Sequence, residues 1–108
     1  MFASSLLNVN SVVDAEKTET MWYRIYADGF IQQGGFTTTK SAGATINLPY
    51  AMPDGNYSCV VTKMATSSEH SIGVPTRTAT SFSYTIRGTN GASNQPATIS
   101  WLVEGFLK

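Results

Sequence analysis

Few side chains in this chain have the types and spacing for chemistry. His70 is the sole histidine and Cys59 the sole cysteine. A zinc site needs several His or Cys ligands, and no CxxC, HxH or HExxH spacing is present. Cys59 falls in the strand-like run "YSCVVTKMA" and His70 in the turn-like "SSEH", so neither helps the other. Asp28 and Asp54 each precede a glycine, where a turn role accounts for them. Glu69 shares the His70 turn, and Glu104 sits between Val103 and Gly105 in the closing run. A glycosidase needs two carboxylates converging on one cleft. Spacing does not favour Glu104 with Glu69 or Asp54 over ordinary surface carboxylates. The many serines lack a nucleophile-elbow context around His70, and no glycine loop leads into a helix to cradle phosphate. The sequence therefore predicts no catalytic set, no metal site and no cofactor, and the chain is not expected to be an enzyme.

Recognition is a better match to the residues present. Segments 66–78 ("TSSEHSIGVPTRT") and 88–97 ("GTNGASNQPA") are polar and hold Glu69, His70, Arg77, Asn90, Asn94 and Gln95. Loops on a rigid β-scaffold commonly carry binding, and amides and hydroxyls suit sugar hydroxyls. Tyr50, between Pro49 and Ala51, is a further candidate, either stacking on a sugar face or plugging one end of the fold.

The elements that must position these residues read as strands. From residue 20 onward the pattern has period two, with β-branched and aromatic residues and frequent turn signals. "TMWYRIYA" alternates Trp22, Arg24 and Tyr26 against Met21, Tyr23 and Ile25. Asp28-Gly29 is read as a two-residue type I′ turn, with "FIQQGGF" as the return strand. "ATINL" is a short strand, and "YSCVVTKMA", unbroken at Cys59, Val60 and Val61, is expected to be central in its sheet. "SIGVP" is a short strand ending at Pro75. "SFSYTIRG" points Phe82, Tyr84 and Ile86 inward, and "TISWLVEGFL" closes the chain. Six to seven short strands predict an all-β fold, a small antiparallel β-sandwich or barrel-like domain over residues 20–108. Residues 1–19 are weakly patterned and are read as a lead-in: a short helix, a strand or a linker.

Bulk properties narrow the class. The chain fits one domain, and its 108 residues bury a modest core. Only 13% of residues are charged, with seven basic against seven acidic, whereas Ser and Thr supply 26 positions. A typical domain is roughly 25% charged. No basic cluster exists, so nucleic acid is not an expected partner. No apolar run reaches the roughly 20 residues of a membrane span, and "MFASSLL" lacks signal-peptide features, so synthesis in the cytoplasm is expected. The lone Cys59 forms no internal disulfide and is expected to be buried. An immunoglobulin-like adhesion module is disfavoured because the Cys-Trp-Cys framework is absent.

The stretch "WYRIYADGFIQQGG" resembles the signature that opens the C-terminal tip domains of many bacteriophage tail fibres. Trp22, Arg24, Tyr26, Asp28, Gly29, Phe30, Ile31, Gln33, Gly34 and Gly35 match it one by one. Ile46, Leu48, Met52, Pro53, Asn56, Tyr57, Trp101 and Gly105 continue a looser pattern, while Glu104 is a departure within the closing strand. The resemblance spans about residues 21–108. It implies a β-sandwich knob on a homotrimeric fibre, located at the tip of the virion and made in the host cytoplasm. Its loops would bind a bacterial cell-surface glycan or protein, and residues 1–19 would join the rest of the fibre. A purely structural trimerisation or capping knob is the alternative. The motif itself reads as scaffold: Trp22 is large enough to cover a cross-strand glycine, Gln32 and Gln33 point to opposite faces, and Gly34-Gly35 marks a bend, a bulge or a close backbone approach.

Overall fold

The computed structural model describes residues 10–39, 43–64, 70–88 and 97–107. Alternation of period two translates directly into eight strands: β1 (Val12–Lys17), β2 (Met21–Tyr26), β3 (Phe30–Thr39), β4 (Gly43–Asn47), β5 (Ser58–Met64), β6 (His70–Arg77), β7 (Ser81–Gly88) and β8 (Ala97–Phe106). They form a five-stranded sheet in the order β1-β2-β3-β8-β5 and a three-stranded sheet in the order β4-β7-β6. Every pairing is antiparallel.

The sheets bury their facing sides against each other. Tyr23, Ile25, Ile31, Ile99, Trp101 and Val103 come from the larger sheet; Ile46, Phe82, Tyr84 and Ile86 come from the smaller. Phe82 meets Trp101 edge-on, with ring centroids 5.4 Å apart, an arrangement that favours aromatic pairs beyond the area they bury. Phe82, Tyr84 and Ile86 alternate inward along β7 as their spacing predicts. The result is an all-β sandwich.

The structure selects one alternative that the sequence left open and corrects three local readings. The additional strand, β1, lies within residues 1–19, and all six of its side chains are exposed. A strand with no buried face leaves no alternation to read. The first correction is that β5 is an edge strand, not a central one. Its run of Cys59, Val60 and Val61 looks continuous because Val60 is 55% exposed on an apolar outer face, while Cys59 is only half-buried. Second, β6 begins at His70, which the sequence placed in a turn, and runs through Pro75 to Arg77. Its register shifts between Gly73 and Thr76, and β6 is an edge; a proline without an N–H is tolerated in that setting. Third, the β2–β3 turn is not a two-residue one. The Gly29 N–H donates to the Tyr26 carbonyl at 2.9 Å, which makes Ala27 and Asp28 the central pair. Gly29 follows with φ of 90°, a conformation that favours glycine.

Candidate functional site

The segment 22–35 is built as a brace. Trp22 pairs with Gly34 and Met21 with Gly35 across β2 and β3. A Cβ on Gly34 would lie 2.8 Å from the Trp101 carbonyl oxygen and 3.0 Å from the Trp22 ring; one on Gly35 would strike the Thr20 carbonyl oxygen. β3 keeps its register past both glycines, so they serve close approach and not a bulge. Arg24 lies with its guanidinium carbon 5.8 Å from the Trp22 ring centroid, within cation–π range. The Asp28 carboxylate accepts from the Phe30 N–H at 2.9 Å.

The two glutamines divide between the faces of β3. Gln33 is fully buried, and its amide nitrogen donates to the Tyr50 carbonyl at 2.9 Å while its oxygen accepts from the Tyr50 N–H at 3.1 Å. Gln32, on the outer face, donates to Glu104 Oε2 at 2.8 Å and accepts from the Tyr26 hydroxyl at 3.0 Å. Glu104 thus has a partner on the neighbouring strand.

Of the candidate recognition residues, Tyr50 is half-buried, with its ring 5.0 Å from that of Tyr23. His70 is placed by its backbone at the start of β6. Glu69, Asn90, Asn94 and Gln95 lie outside the described residues. Arg77, exposed at the end of β6, is joined by residues that sequence reasoning treated separately. Asp54, Asn56, Ser58, Glu104 and Phe106 line with it a hollow of about 420 Å³. Tyr50 is not among its lining residues. "PDGN" was legible only as a turn, and nothing in the sequence tied it to the closing strand.

Local bonding fixes the walls of this hollow. Asp54 Oδ1 accepts from the Asn56 N–H at 2.8 Å, and Gly55 packs against the Arg77 carbonyl. The Tyr57 hydroxyl donates to the Ser81 carbonyl at 2.9 Å. Burial raises the Tyr57 hydroxyl pKa, and the nearby Arg77 charge works in the opposite direction. Burial pushes the Cys59 thiol up to about 11, again opposed by Arg77. Among the described residues no cluster of His, Cys, Asp and Glu is placed to hold a metal ion.

Residues 24–106 match the family model described as tail fiber protein gp53-like, C-terminal. The chain belongs to this family. Solved structures agree with the fold. The N-truncated R2-type pyocin tail fiber superimposes with a TM-score of 0.68 at 21% identity, covering 95% of this chain and 41% of that one. A C-terminal fragment of the P. aeruginosa R2 pyocin fiber gives 0.65 at 22% identity, covering 95% and 28%. The N-truncated R1-type pyocin tail fiber gives 0.61 at 14% identity, covering 98% and 97%. The tail-fibre domain thus spans less than half of either R2 fibre structure. Among curated proteins, none matches it.

The outer face of the five-stranded sheet in this tail-fibre domain carries one apolar row. Trp22, Gly34, Leu102 and Val60 stand in register across β2, β3, β8 and β5, with Lys17 of β1 at the end of the row. Phe36, two residues beyond Gly34 on β3, extends the patch and is 49% exposed. In the next row Arg24, Gln32, Glu104 and Ser58 are polar, with Ala15 of β1 at its end.

Proposed function

We propose that this tail-fibre domain is a receptor-binding tip, attaching the particle to a bacterial surface polysaccharide or outer-membrane protein and acting as a homotrimer. The observation that carries the reading is the family match over residues 24–106, on a scaffold whose motif residues are occupied in bracing the sandwich. Contact with a host then falls to the loops and strand ends around that scaffold. Binding, not catalysis, is the proposed role. Asp54 is exposed, and Glu104 already accepts a hydrogen bond from the Gln32 amide. The test is adhesion of the labelled chain to bacterial cells, compared with cells stripped of surface polysaccharide or of outer-membrane protein. Retained binding on one and loss on the other names the receptor class, and failure to bind any intact cells refutes the reading.

A structural trimerisation or capping knob is the second reading, favoured by the outer-face apolar patch in which Val60 and Phe36 are exposed beside the half-buried Trp22 and Leu102. Large exposed apolar patches mark interaction sites, and three copies would bury this one. Replacing segments 66–78 and 88–97 with those of a relative separates the two. Unchanged cell binding supports the capping role.

A further inference from the structure

We propose that the hollow between the 53–58 loop, the end of β6 and the end of β8 is a binding subsite for a neutral sugar residue. This deepens the receptor-binding reading and rests on it. The lining combines hydrogen-bonding groups of both senses with one apolar ring. Asp54 and Glu104 supply carboxylate acceptors, Arg77 a guanidinium donor, Asn56 and Ser58 groups able to do either, and Phe106 a ring that is 55% exposed. A pyranose presents the complementary set, because each hydroxyl donates and accepts while one ring face carries mostly C–H groups. The volume of about 420 Å³ falls within the roughly 300–1,000 Å³ of small-molecule pockets.

Two features of the hollow favour such a ligand. One is that each of the two carboxylates is anchored through one oxygen. Asp54 uses Oδ1 on the Asn56 N–H, and Glu104 uses Oε2 on Gln32, so each carboxylate retains a second oxygen. Phe106 is fixed against Phe30, with ring centroids 5.2 Å apart, and the following Leu107 N–H donates to the Gly29 carbonyl at 2.8 Å. Groups ordered before binding lose little freedom on binding, which matters for a weak ligand such as one sugar. The other feature is charge. Two carboxylates stand against one guanidinium in the lining, so an anionic sugar or phosphate meets net repulsion. A neutral hexose meets none.

The test is a two-dimensional NMR titration of the full chain with methyl glycosides of glucose, galactose and mannose. Glucuronate and trilysine serve as charged probes. The expected result is saturable shifts at millimolar concentration in the Arg77 Nε–H and Phe106 ring signals for at least one neutral glycoside. Glucuronate should bind more weakly, and Arg77→Ala and Phe106→Ala should each weaken binding at least five-fold. Because both side chains are exposed, the variants should keep the wild-type spectrum elsewhere. No saturable shift from any glycoside overturns the proposal. So does tighter binding of glucuronate or trilysine, or unchanged binding by both variants. Adhesion to cells is measured in parallel. If the chain adheres and the Arg77→Ala/Phe106→Ala variant adheres equally, the subsite falls and the receptor-binding reading stands. If glycosides shift these signals and the chain adheres to no cells, the subsite stands and that reading falls.

Discussion

Gln33 pairs its side-chain amide with both main-chain groups of Tyr50, accepting from the nitrogen at 3.1 Å and donating to the carbonyl at 2.9 Å. Its second amide hydrogen is directed at Met52 Sδ, 3.3 Å away. A buried side chain thereby does for the 49–52 connection what a neighbouring strand would do. Gln33→Met preserves volume but orphans two backbone groups. It should destabilise by about 2–6 kcal/mol, at about 1–3 kcal/mol for each unsatisfied group. A fall in the urea midpoint with unchanged slope is the measurement.

The glycines should rank by what their missing Cβ would meet. At Gly35 the obstacle is the Thr20 carbonyl, and at Gly34 it is the Trp101 carbonyl with the Trp22 ring; backbone cannot yield easily at either. At Gly105 it is chiefly Met52 Cε at 2.8 Å, the end of a flexible side chain. Gly35→Ala and Gly34→Ala should each cost about 1–3 kcal/mol or more, as overpacking does, and Gly105→Ala less. Trp22→Ala should relieve only part of the Gly34→Ala penalty. Equal losses at all three positions would refute the ranking.

Cys59 sets a pH limit. Its thiol is raised from 9.0 to about 11 in the folded state by burial. The folded state therefore holds this proton more tightly than the unfolded chain, so the contribution to stability is complete below pH 9. It is lost as pH climbs through about 11. Tyr57, also raised by burial, acts in the same direction. Thermal midpoints should be flat from pH 7 to 9 in this respect and then fall, and Cys59→Val should make the fall shallower. At pH 8 the native thiol should react with iodoacetamide at least about ten-fold more slowly than the unfolded one, because thiolate is the nucleophile.

The apolar outer row gives an assembly prediction. Val60→Glu and Phe36→Glu place charges on side chains that are 55% and 49% exposed, so the isolated fold should tolerate them. If three copies meet through this face, the double variant should sediment as a monomer with its β-type circular dichroism retained. A variant sedimenting like the parent chain would move the interface elsewhere.

The sequence revealed most where one face of a strand is buried and the other is wet. Phe82, Tyr84 and Ile86 on β7, and Tyr23 and Ile25 on β2, alternate because the two sheets enclose them. Legibility failed where that contrast is missing. β1 is wet on both faces, and β5 is apolar outward as well as inward, so an edge strand imitated a central one. The tail-fibre signature marked the brace of Trp22, Gln33, Gly34 and Gly35 but could not say what each residue touches. That depends on Thr20, Tyr50 and Trp101, which lie outside it. The hollow was least visible of all, since 54–58, Arg77 and 104–106 meet only through the strand order β8-β5 and the seat of Gly55 on Arg77.

Exposure of every β1 side chain also has a mechanical meaning. A pull applied ahead of β1 is met first at Asn10 and Ser11, which receive hydrogen bonds from the Asp28 and Ala27 N–H groups of the β2–β3 turn. It then passes along the β1–β2 ladder to Thr18, which is bonded to Met21 through both its backbone and its hydroxyl. The one core side chain that reaches β1 in the described residues is Tyr23, whose hydroxyl donates to Asp14 Oδ2 at 3.4 Å. With all six side chains exposed and a single hydroxyl contact from Tyr23, β1 should open from β2 before the two packed sheets part from each other.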